Sequence, residues 1–357
     1  CGRRERTIEM TASAQALRIS VGIVLLQFLS LSALSAMDAL VVYREGQVDI
    51  DRRGGDRIEA YIGDEVRGGD SVITGVNGFA ELERGNSTSI TVEPDTVFSV
   101  DSVGDTGQER DVLRCTLGSI SYRFDRIAGA SEPRITTPSA AAGVRGTELT
   151  VAAGEDGSSL FVVQSGEVEV EAEGQTVLLG PDEGVEVRPG EAPGEKFEVK
   201  RGQIDYSNWR QERRDAFIDD PVAAARGLER RFDGFVEKVN DLAPKLQRKR
   251  SQLENETAKL STIKEEQGEE ARIKHYREVI FPLEVEIHDI YVTLKYYAKS
   301  ALSIRRFVLG RMYLSLKTQN LEDLSNEKYQ DFLLIHERII YDFEKQIVPQ
   351  LVEAELL

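Results

Sequence analysis

The feature that most constrains the fold is a change in hydrophobic period part-way along the chain. Between Val41 and about Lys200, apolar and polar residues alternate in short runs such as Val48–Asp51 and Val168–Glu171. Alternation places apolar side chains on one face of a strand, and the Gly, Asn and Asp residues between runs suit tight turns. Many short strands without intervening helices predict an all-β sandwich, jelly roll or solenoid rather than a parallel α/β sheet.

Beyond about Pro221 the apolar residues recur in steps of three and four, which is the period of a helix face. Asp220 and Pro221 form a helix start, because a capping carboxylate precedes proline at the first helical position. We expect Pro244 to kink the first long helix, and we expect joints near Gly268 and within residues 320–326. The sustained apolar seams predict coiled-coil-like packing of long helices.

The N-terminal segment predicts export. Met10–Ala36 has a short start with a basic residue, an apolar run and a small-residue end, which are the regions of a secretory signal peptide. We expect cleavage after Ala36 or Ser35, and we expect residues 1–9 to lie upstream of the true start at Met10. The alternatives are an apolar run kept as an uncleaved membrane anchor and, less in keeping with the signal, a lipidated Cys1.

Composition restricts the partners. The chain of 357 residues is long enough for two domains, and its formal net charge is −17. That charge argues against nucleic acid and against docking on anionic lipid through a basic face. The two cysteines are Cys1 and Cys115, so removal of the signal leaves no intramolecular disulfide, and the count does not decide the redox compartment. The three histidines fit no metal-ligand spacing.

A glycine-flanked arginine, Gly143-Val144-Arg145-Gly146-Thr147, suits either a tight structural corner or a phosphate-binding loop. Such a loop needs a helix after it, whose N-terminus faces the anion. Here a strand pattern, Thr147–Val151, follows instead, so we do not expect a nucleotide site. No Ser-His-Asp order or paired-carboxylate motif occurs, and we predict a protein that is not an enzyme and has no cofactor.

Two segments resemble the FecR domain family. They are "TGVNGFAEL" at residues 74–82 and "TPSAAAGVRGTEL" at residues 137–149, and the similarity extends from about Val41 to Pro193. The resemblance implies a periplasmic all-β domain of jelly-roll or β-helical character. In iron-regulatory members of the family, a cytoplasmic tail before a membrane helix contacts a sigma factor. Only 18 residues precede the apolar run here, so we do not expect sigma-factor regulation to accompany the resemblance.

The second of these segments holds our candidate structural motif. We interpret it as a corner, in which glycines let the backbone bend and the guanidinium of Arg145 bonds carbonyls or a buried carboxylate. An arginine that grips a ligand is the alternative. The residues of the candidate motif are Thr137, Pro138, Gly143, Arg145, Gly146 and Thr147.

We therefore predict an α+β protein with segregated domains, in which a FecR-like jelly-roll or β-helix-like domain precedes a helical bundle or coiled coil. The predicted bounds are 1–36 for the signal, 37–199 for the β domain, 200–220 for a linker with a docking helix, and 221–357 for the helices. Trp209 in the linker helix is expected to dock on the β domain, or to contact a partner.

The expected function is that of a non-catalytic exported protein, either a scaffold or a protein-binding module of the cell envelope. Its partner would be another protein, or a second copy bound through the C-terminal helices. The alternatives are a membrane-anchored signal transducer of the FecR type and a module that binds cell-wall glycans.

Overall fold

The structure is a computed structural model that describes residues 39–353 apart from 54, 85–87, 106–107, 125–132 and 200–201. The predictions about the signal peptide, its cleavage, the start at Met10 and Cys1 lie outside the described residues. None of the helices that are described is both long and apolar enough to cross a membrane.

Strands occupy the first half of the described chain. Their bounds are β1 Ala39–Glu45, β2 Val48–Asp51, β3 Arg57–Glu59, β4 Glu65–Val66, β5 Ser71–Thr74, β6 Phe79–Arg84, β7 Thr88–Val92, β8 Val97–Asp105, β9 Gln108–Phe124, β10 Arg134–Thr136, β11 Ala141–Ala153, β12 Ser159–Ala172, β13 Gln175–Leu179, β14 Glu183–Val187 and β15 Phe197–Glu198.

The described strands form one hydrogen-bonded network with the path β15-β14-β12-β11-β10-β9-β7-β6-β1-β4, and the other strands branch from it. The pairs are antiparallel except β9 with β10, which is parallel. The alternation in the sequence explains which side chains face inward. In β6, for example, Ala80, Leu82 and Arg84 are buried while the residues between them are not. The inward residues close around one apolar core.

Helices occupy the second half. Their bounds are α1 Tyr206–Asp219, α2 Pro221–Ala258, α3 Leu260–Gln267, α4 Glu269–His275, α5 Phe281–Ser303, α6 Gly310–Gln319, α7 Glu327–Asp342 and α8 Val348–Glu353. Three π-helical turns, Tyr276–Ile280, Ile304–Leu309 and Phe343–Ile347, link α4 to α5, α5 to α6 and α7 to α8.

Residues that cap or interrupt helices account for several of the helix ends. Asp220 caps α2 by accepting a hydrogen bond from the backbone nitrogen of Ala223 at 3.0 Å, and Pro221 follows at the first position. Breaks fall at Gly268 and in residues 320–326, where the spacing predicts them. α2 continues through Pro244 as a single element, and the kink expected there stays a prediction.

α2, the α5–α6 segment and α7 pack together around a second apolar core. This core is distinct from the one inside the strands, and a small third cluster surrounds Trp209. The described residues nevertheless belong to one compact unit. The predicted α+β organisation, with strands first and helices second, is confirmed. The finer jelly-roll or β-helix description stays a prediction, and so do the domain bounds.

Candidate functional site

The segment that contains Arg145 lies where β11 changes its neighbour. Its start, Ala141 to Gly143, pairs with β10, whereas Glu148 to Ala153 pairs with β9. On its other side β11 pairs with β12 along its whole length, and the register shifts between Arg145 and Glu148. The motif is therefore a bulged bend inside a long strand, with no helix after it.

Two facing glycines make this bend. Gly146 has φ +57° and Gly166, across on β12, has φ +84°. A Cβ atom on Gly166 would lie 2.4 Å from the carbonyl oxygen of Gly146, which is closer than non-bonded atoms can approach. Only glycine allows both the backbone conformation and the close contact.

The remaining motif residues support the bend through hydrogen bonds. Thr137 Oγ1 accepts from the backbone nitrogen of Ala140 at 3.0 Å, which closes the turn between β10 and β11. Thr147 Oγ1 donates to the carbonyl oxygen of Glu167 at 3.2 Å. The carbonyl oxygen of Pro138 accepts from Arg231 Nε of α2 at 3.2 Å, so the turn also contacts a helix.

Gly143 keeps an ordinary ladder position between β10 and β12, opposite Arg134 and Glu169. The structure describes the backbone of Arg145 but not its side chain. The two interpretations of its guanidinium, a structural bond and a ligand contact, both stay predictions.

Trp209 lies on α1 against the β region. Its indole is buried, and Nε1 donates to Glu186 Oε2 at 3.0 Å. Arg213, one turn further along α1, donates to the other carboxylate oxygen of Glu186 at 3.0 Å. The described chain thus covers the indole itself, and a partner contact through Trp209 stays a prediction. The buried apolar residues around the ring are Ala152, Leu160, Val162 and Val199.

A set of ion pairs joins the strands to the α5–α6 segment. Arg306 Nη2 donates to Asp51 Oδ2 at 2.7 Å, and Arg311 Nη2 donates to Asp95 Oδ1 at 2.6 Å. Lys299 Nζ donates to a carboxylate oxygen of Asp101. We call these three contacts the junction, because each joins a carboxylate of the β region to a cation of the helices.

A buried arginine completes the junction at one end. Arg114 of β9 donates from Nη1 to Ser300 Oγ at 2.7 Å, and both residues are buried. Its other terminal nitrogen lies 3.9 Å from Asp101, and its guanidinium carbon is 6.0 Å from the ring centre of Tyr296. Since a buried charge needs polar partners, Arg114 and Asp101 depend on the helix for part of theirs.

The three cations share one side of the helix because of a π-helical turn. Lys299 and Arg306 are seven residues apart, which is two turns of an α-helix, but Arg306 and Arg311 are five apart. Five residues would not return to the same face of an unbroken α-helix. The turn Ile304–Leu309 inserts the extra residue, and all three cations then reach the β region.

The junction was not predicted from the sequence. Its carboxylates lie in ordinary strand or turn segments, and nothing in the sequence distinguishes the buried Asp51 from Asp49, which is less buried. The usable signal was the presence of four cations, which are Lys299, Arg305, Arg306 and Arg311, within residues 299–311, a helical stretch that has no acidic residue. The common side of the three junction cations could not be deduced, because sequence periodicity does not reveal a π-helical turn.

Cys115 is buried among the strands. Burial raises the pKa of the Cys115 thiol to about 12, which disfavours the nucleophilic thiolate. Among the described residues, no group of three or more His, Cys, Asp and Glu side chains is placed to hold a metal ion.

A cleft of about 260 Å³ lies between strand turns and the start of α2. Asp156 and Ser158 line it, together with side chains of both charge signs. Burial raises the pKa of Asp156, while hydrogen bonds from the backbone nitrogen and hydroxyl of Ser158 oppose that rise. The mixed lining selects no single class of ligand.

Comparison with known proteins gives a family for the centre of the β region. Residues 70–169 match the family model described as FecR protein. The match confirms the FecR resemblance for this segment, which contains β5 to β11 and the bulged bend. No curated protein matches the chain.

Two crystal structures of a candidate anti-sigma factor from Parabacteroides distasonis resemble part of the chain. The first is 18% identical with a TM-score of 0.33, and the similarity covers 40% of this chain and 64% of that one. The second is 18% identical with a TM-score of 0.32, and it covers 36% and 60%. This chain therefore matches less than two thirds of the length of those proteins. The expectation about sigma-factor regulation stays a prediction.

Proposed function

We propose that this chain is a non-catalytic regulator of signal transduction in the cell envelope, and that it acts by binding other proteins. The observation that carries the proposal is the FecR match at residues 70–169. It favours a regulator over a passive envelope scaffold, which is the competing proposal. Export and the envelope location remain part of what is proposed.

The junction supports the same proposal, because binding of a partner to the β region could change the position of the helices through it, and the reverse. Polar contacts hold the α5–α6 segment on the β region, and the two apolar cores stay separate. The carboxylate of Asp51 is buried, but Arg306 and Arg311 are partly exposed, so a competing charge can reach these cations. A partner that binds either region could therefore change how firmly the helices are held.

Transcript profiling in cells that naturally carry the chain tests the proposal. Deletion of the gene should change a compact set of transcripts, and the wild-type chain should restore them. The variant Arg306→Glu/Arg311→Glu, which opposes Asp51 and Asp95 with like charge, should restore them poorly. The matched control is Lys345→Glu, whose side chain is exposed on the third π-helical turn, and it should restore them fully.

A scaffold gives a different result. Deletion of the gene would then change no compact set of transcripts. The two variants would also give the same transcript levels when their protein levels are equal. That outcome would count against the regulator and in favour of the scaffold.

A further inference from the structure

The strand β13 forms one margin of the sheet. It pairs with β12 along Gln175–Leu179, and no other described strand pairs with it. Glu173 and Gly174 join the two strands as a two-residue turn, with φ values of +47° and +73°. The pair that closes such a turn is hydrogen-bonded, and here it consists of Ala172 and Gln175.

This turn determines which backbone groups of β13 point away from β12. Hydrogen-bonded and non-bonded pairs alternate along an antiparallel ladder. Because Ala172 and Gln175 are a bonded pair, Thr176 and Leu178 belong to non-bonded pairs. Their N–H and C=O groups therefore point outward from the sheet, and no described backbone group bonds to them. The margin presents two donors and two acceptors in the geometry of a strand.

The other margins of the described sheet have features that oppose the addition of a strand. β4 and β15 are two residues long, and β3 is three residues long and carries Arg57 and Glu59. Short length and charge are two of the ways in which proteins protect an edge strand. β13 has five residues, with no charge, no proline and no bulge. It is therefore the described margin that best suits a further strand.

The two faces of β13 differ in their chemistry. On the inner face, Val177 is partly buried and packs at the rim of the strand core, so an apolar side chain beside it would be shielded from water. On the outer face, Thr176 lies opposite Glu171 of β12. Leu178, which is 55% exposed, lies opposite Glu169. An added strand would thus meet an apolar rim on one face and carboxylates on the other.

The charge beside β13 is negative on balance. Residues 165–182 contain five acidic residues and neither lysine nor arginine. Arginines of β10 and α2 pair with two of them, at 2.7 Å and 3.2 Å, and Arg145 of β11 lies opposite Glu167. Glu169 lies opposite Gly143, is exposed and has no ion-pair partner among the described residues. A lysine or arginine on the outer face of an added strand would supply that partner.

We propose that β13 binds an extended segment of a partner protein, which adds a strand to the sheet and alternates apolar residues with lysine or arginine. Its backbone bonds Thr176 and Leu178, and its apolar residues lie beside Val177. Its cations reach Glu169, because strands two places apart are about 10 Å apart and the two long side chains together span that distance.

A second copy of β13 is a poorer occupant, because it would bring further carboxylates to the outer face and no cation. The proposed strand site rests on the proposed function, and it names the surface and the chemistry of the partner.

Binding of two synthetic peptides to the full chain tests the proposal, with the fluorescence anisotropy of a neutral dye on the peptide as the measurement. The first peptide is Lys-Val-Lys-Val-Lys-Val-Lys with capped ends. The second has the same side chains and a methyl group on every backbone nitrogen, so it has the same charge but cannot pair as a strand. The first should bind at least about tenfold more tightly, because only its backbone can bond the margin.

A proline variant tests the place of binding. Thr176→Pro should weaken binding of the first peptide at least about tenfold, because it removes an outward N–H and blocks pairing at the margin. The hairpin keeps its own ladder, since this N–H does not bond β12. Thr176→Val keeps the N–H and should bind as the wild type does. Far-ultraviolet circular dichroism should be the same for both variants.

A charge variant tests the outer face and does not alter the backbone. Glu169→Lys should weaken binding of the first peptide at least about threefold, and a peptide with glutamate in place of lysine should show the opposite preference. Glu83→Lys is the matched control, because Glu83 is exposed on β6 and the change in net charge is the same. It should bind as the wild type does. If Thr176→Pro alters the circular dichroism spectrum, this pair of variants decides.

Several results would overturn the proposal: a first peptide that binds no more tightly than its methylated form, a folded Thr176→Pro chain with wild-type affinity, or equal effects of Glu169→Lys and Glu83→Lys. A chain that dimerises through β13, with the dimer lost in Thr176→Pro, would show that a second copy is the occupant. If the peptide binds as described but deletion of the gene changes no compact set of transcripts, the proposed regulator fails and the strand site stands.

Discussion

At the scale of single residues, the bend in the FecR-matched segment depends on two glycines with positive φ, and the second of them has no room for a side chain. Gly146 and Gly166 face each other across the bulge where β11 exchanges β10 for β9. The sequence indicated a corner at the first of them, because glycines flank Arg145. It did not reveal that Gly166, twenty residues further on, is the second half of the same bend.

We predict that Gly166→Ala lowers the free energy of unfolding by at least about 2 kcal/mol, from left-handed strain together with the clash against Gly146. Gly174→Ala is the matched control, since Gly174 has φ +73° but no atom within 4 Å of an added Cβ. It should cost only about 1 kcal/mol. Urea denaturation measures both variants, and equal losses would show that the close contact at the bulge has no energetic effect.

At the scale of elements, the packing of α6 against α7 includes a half-buried histidine. The ring of His336 stacks on Tyr313 at 5.4 Å and lies 5.7 Å from Phe332. Burial lowers the pKa of His336, and Arg305 acts in the same direction while Glu337 opposes both. The folded chain therefore keeps this imidazole neutral at pH values where the unfolded chain protonates it.

This lowered pKa predicts a loss of stability in mild acid. As pH falls below about 6.5, the ordinary value, the unfolded state binds a proton that the folded state resists, so the free energy of unfolding falls. His336→Gln should remove this part of the pH dependence. His288→Gln, which removes an exposed imidazole on α5, should retain it. Urea denaturation between pH 7.5 and 5 would contradict the prediction if both variants behaved alike.

The elements themselves were largely predictable. Alternation gave the strands, and the step of three and four gave the helices and their breaks at Gly268 and residues 320–326. The π-helical turns were not predictable, because each adds one residue to the helix. In a short apolar pattern, this shift of one position cannot be told from ordinary variation in the spacing. One of these turns matters for the junction, since it brings Arg311 onto the side of Arg306.

At the scale of the whole molecule, contacts between distant parts of the sequence join the β region to the helices. Asp51 and Arg306 are 255 residues apart in sequence, and the side chain of Asp51 is only 4% exposed. No local pattern predicts such a pair. The sequence therefore predicted a β region and a helical region, but it did not predict which residues join them. Because the strands enclose an apolar core of their own, we predict that a fragment of residues 37–198 folds without the helices.

The central claim is that ion pairs of the junction hold the helices on the β region. The most direct measurement is a double-mutant cycle on Asp51→Asn and Arg306→Gln, with urea unfolding followed by the fluorescence of the single tryptophan. We predict a coupling free energy of about 1 kcal/mol or more, because the carboxylate is buried. The exposed pair Asp241 and Lys245 on α2 is the control, with an expected coupling of about 0.3 kcal/mol. A coupling between Asp51 and Arg306 no larger than that of the control would contradict the claim.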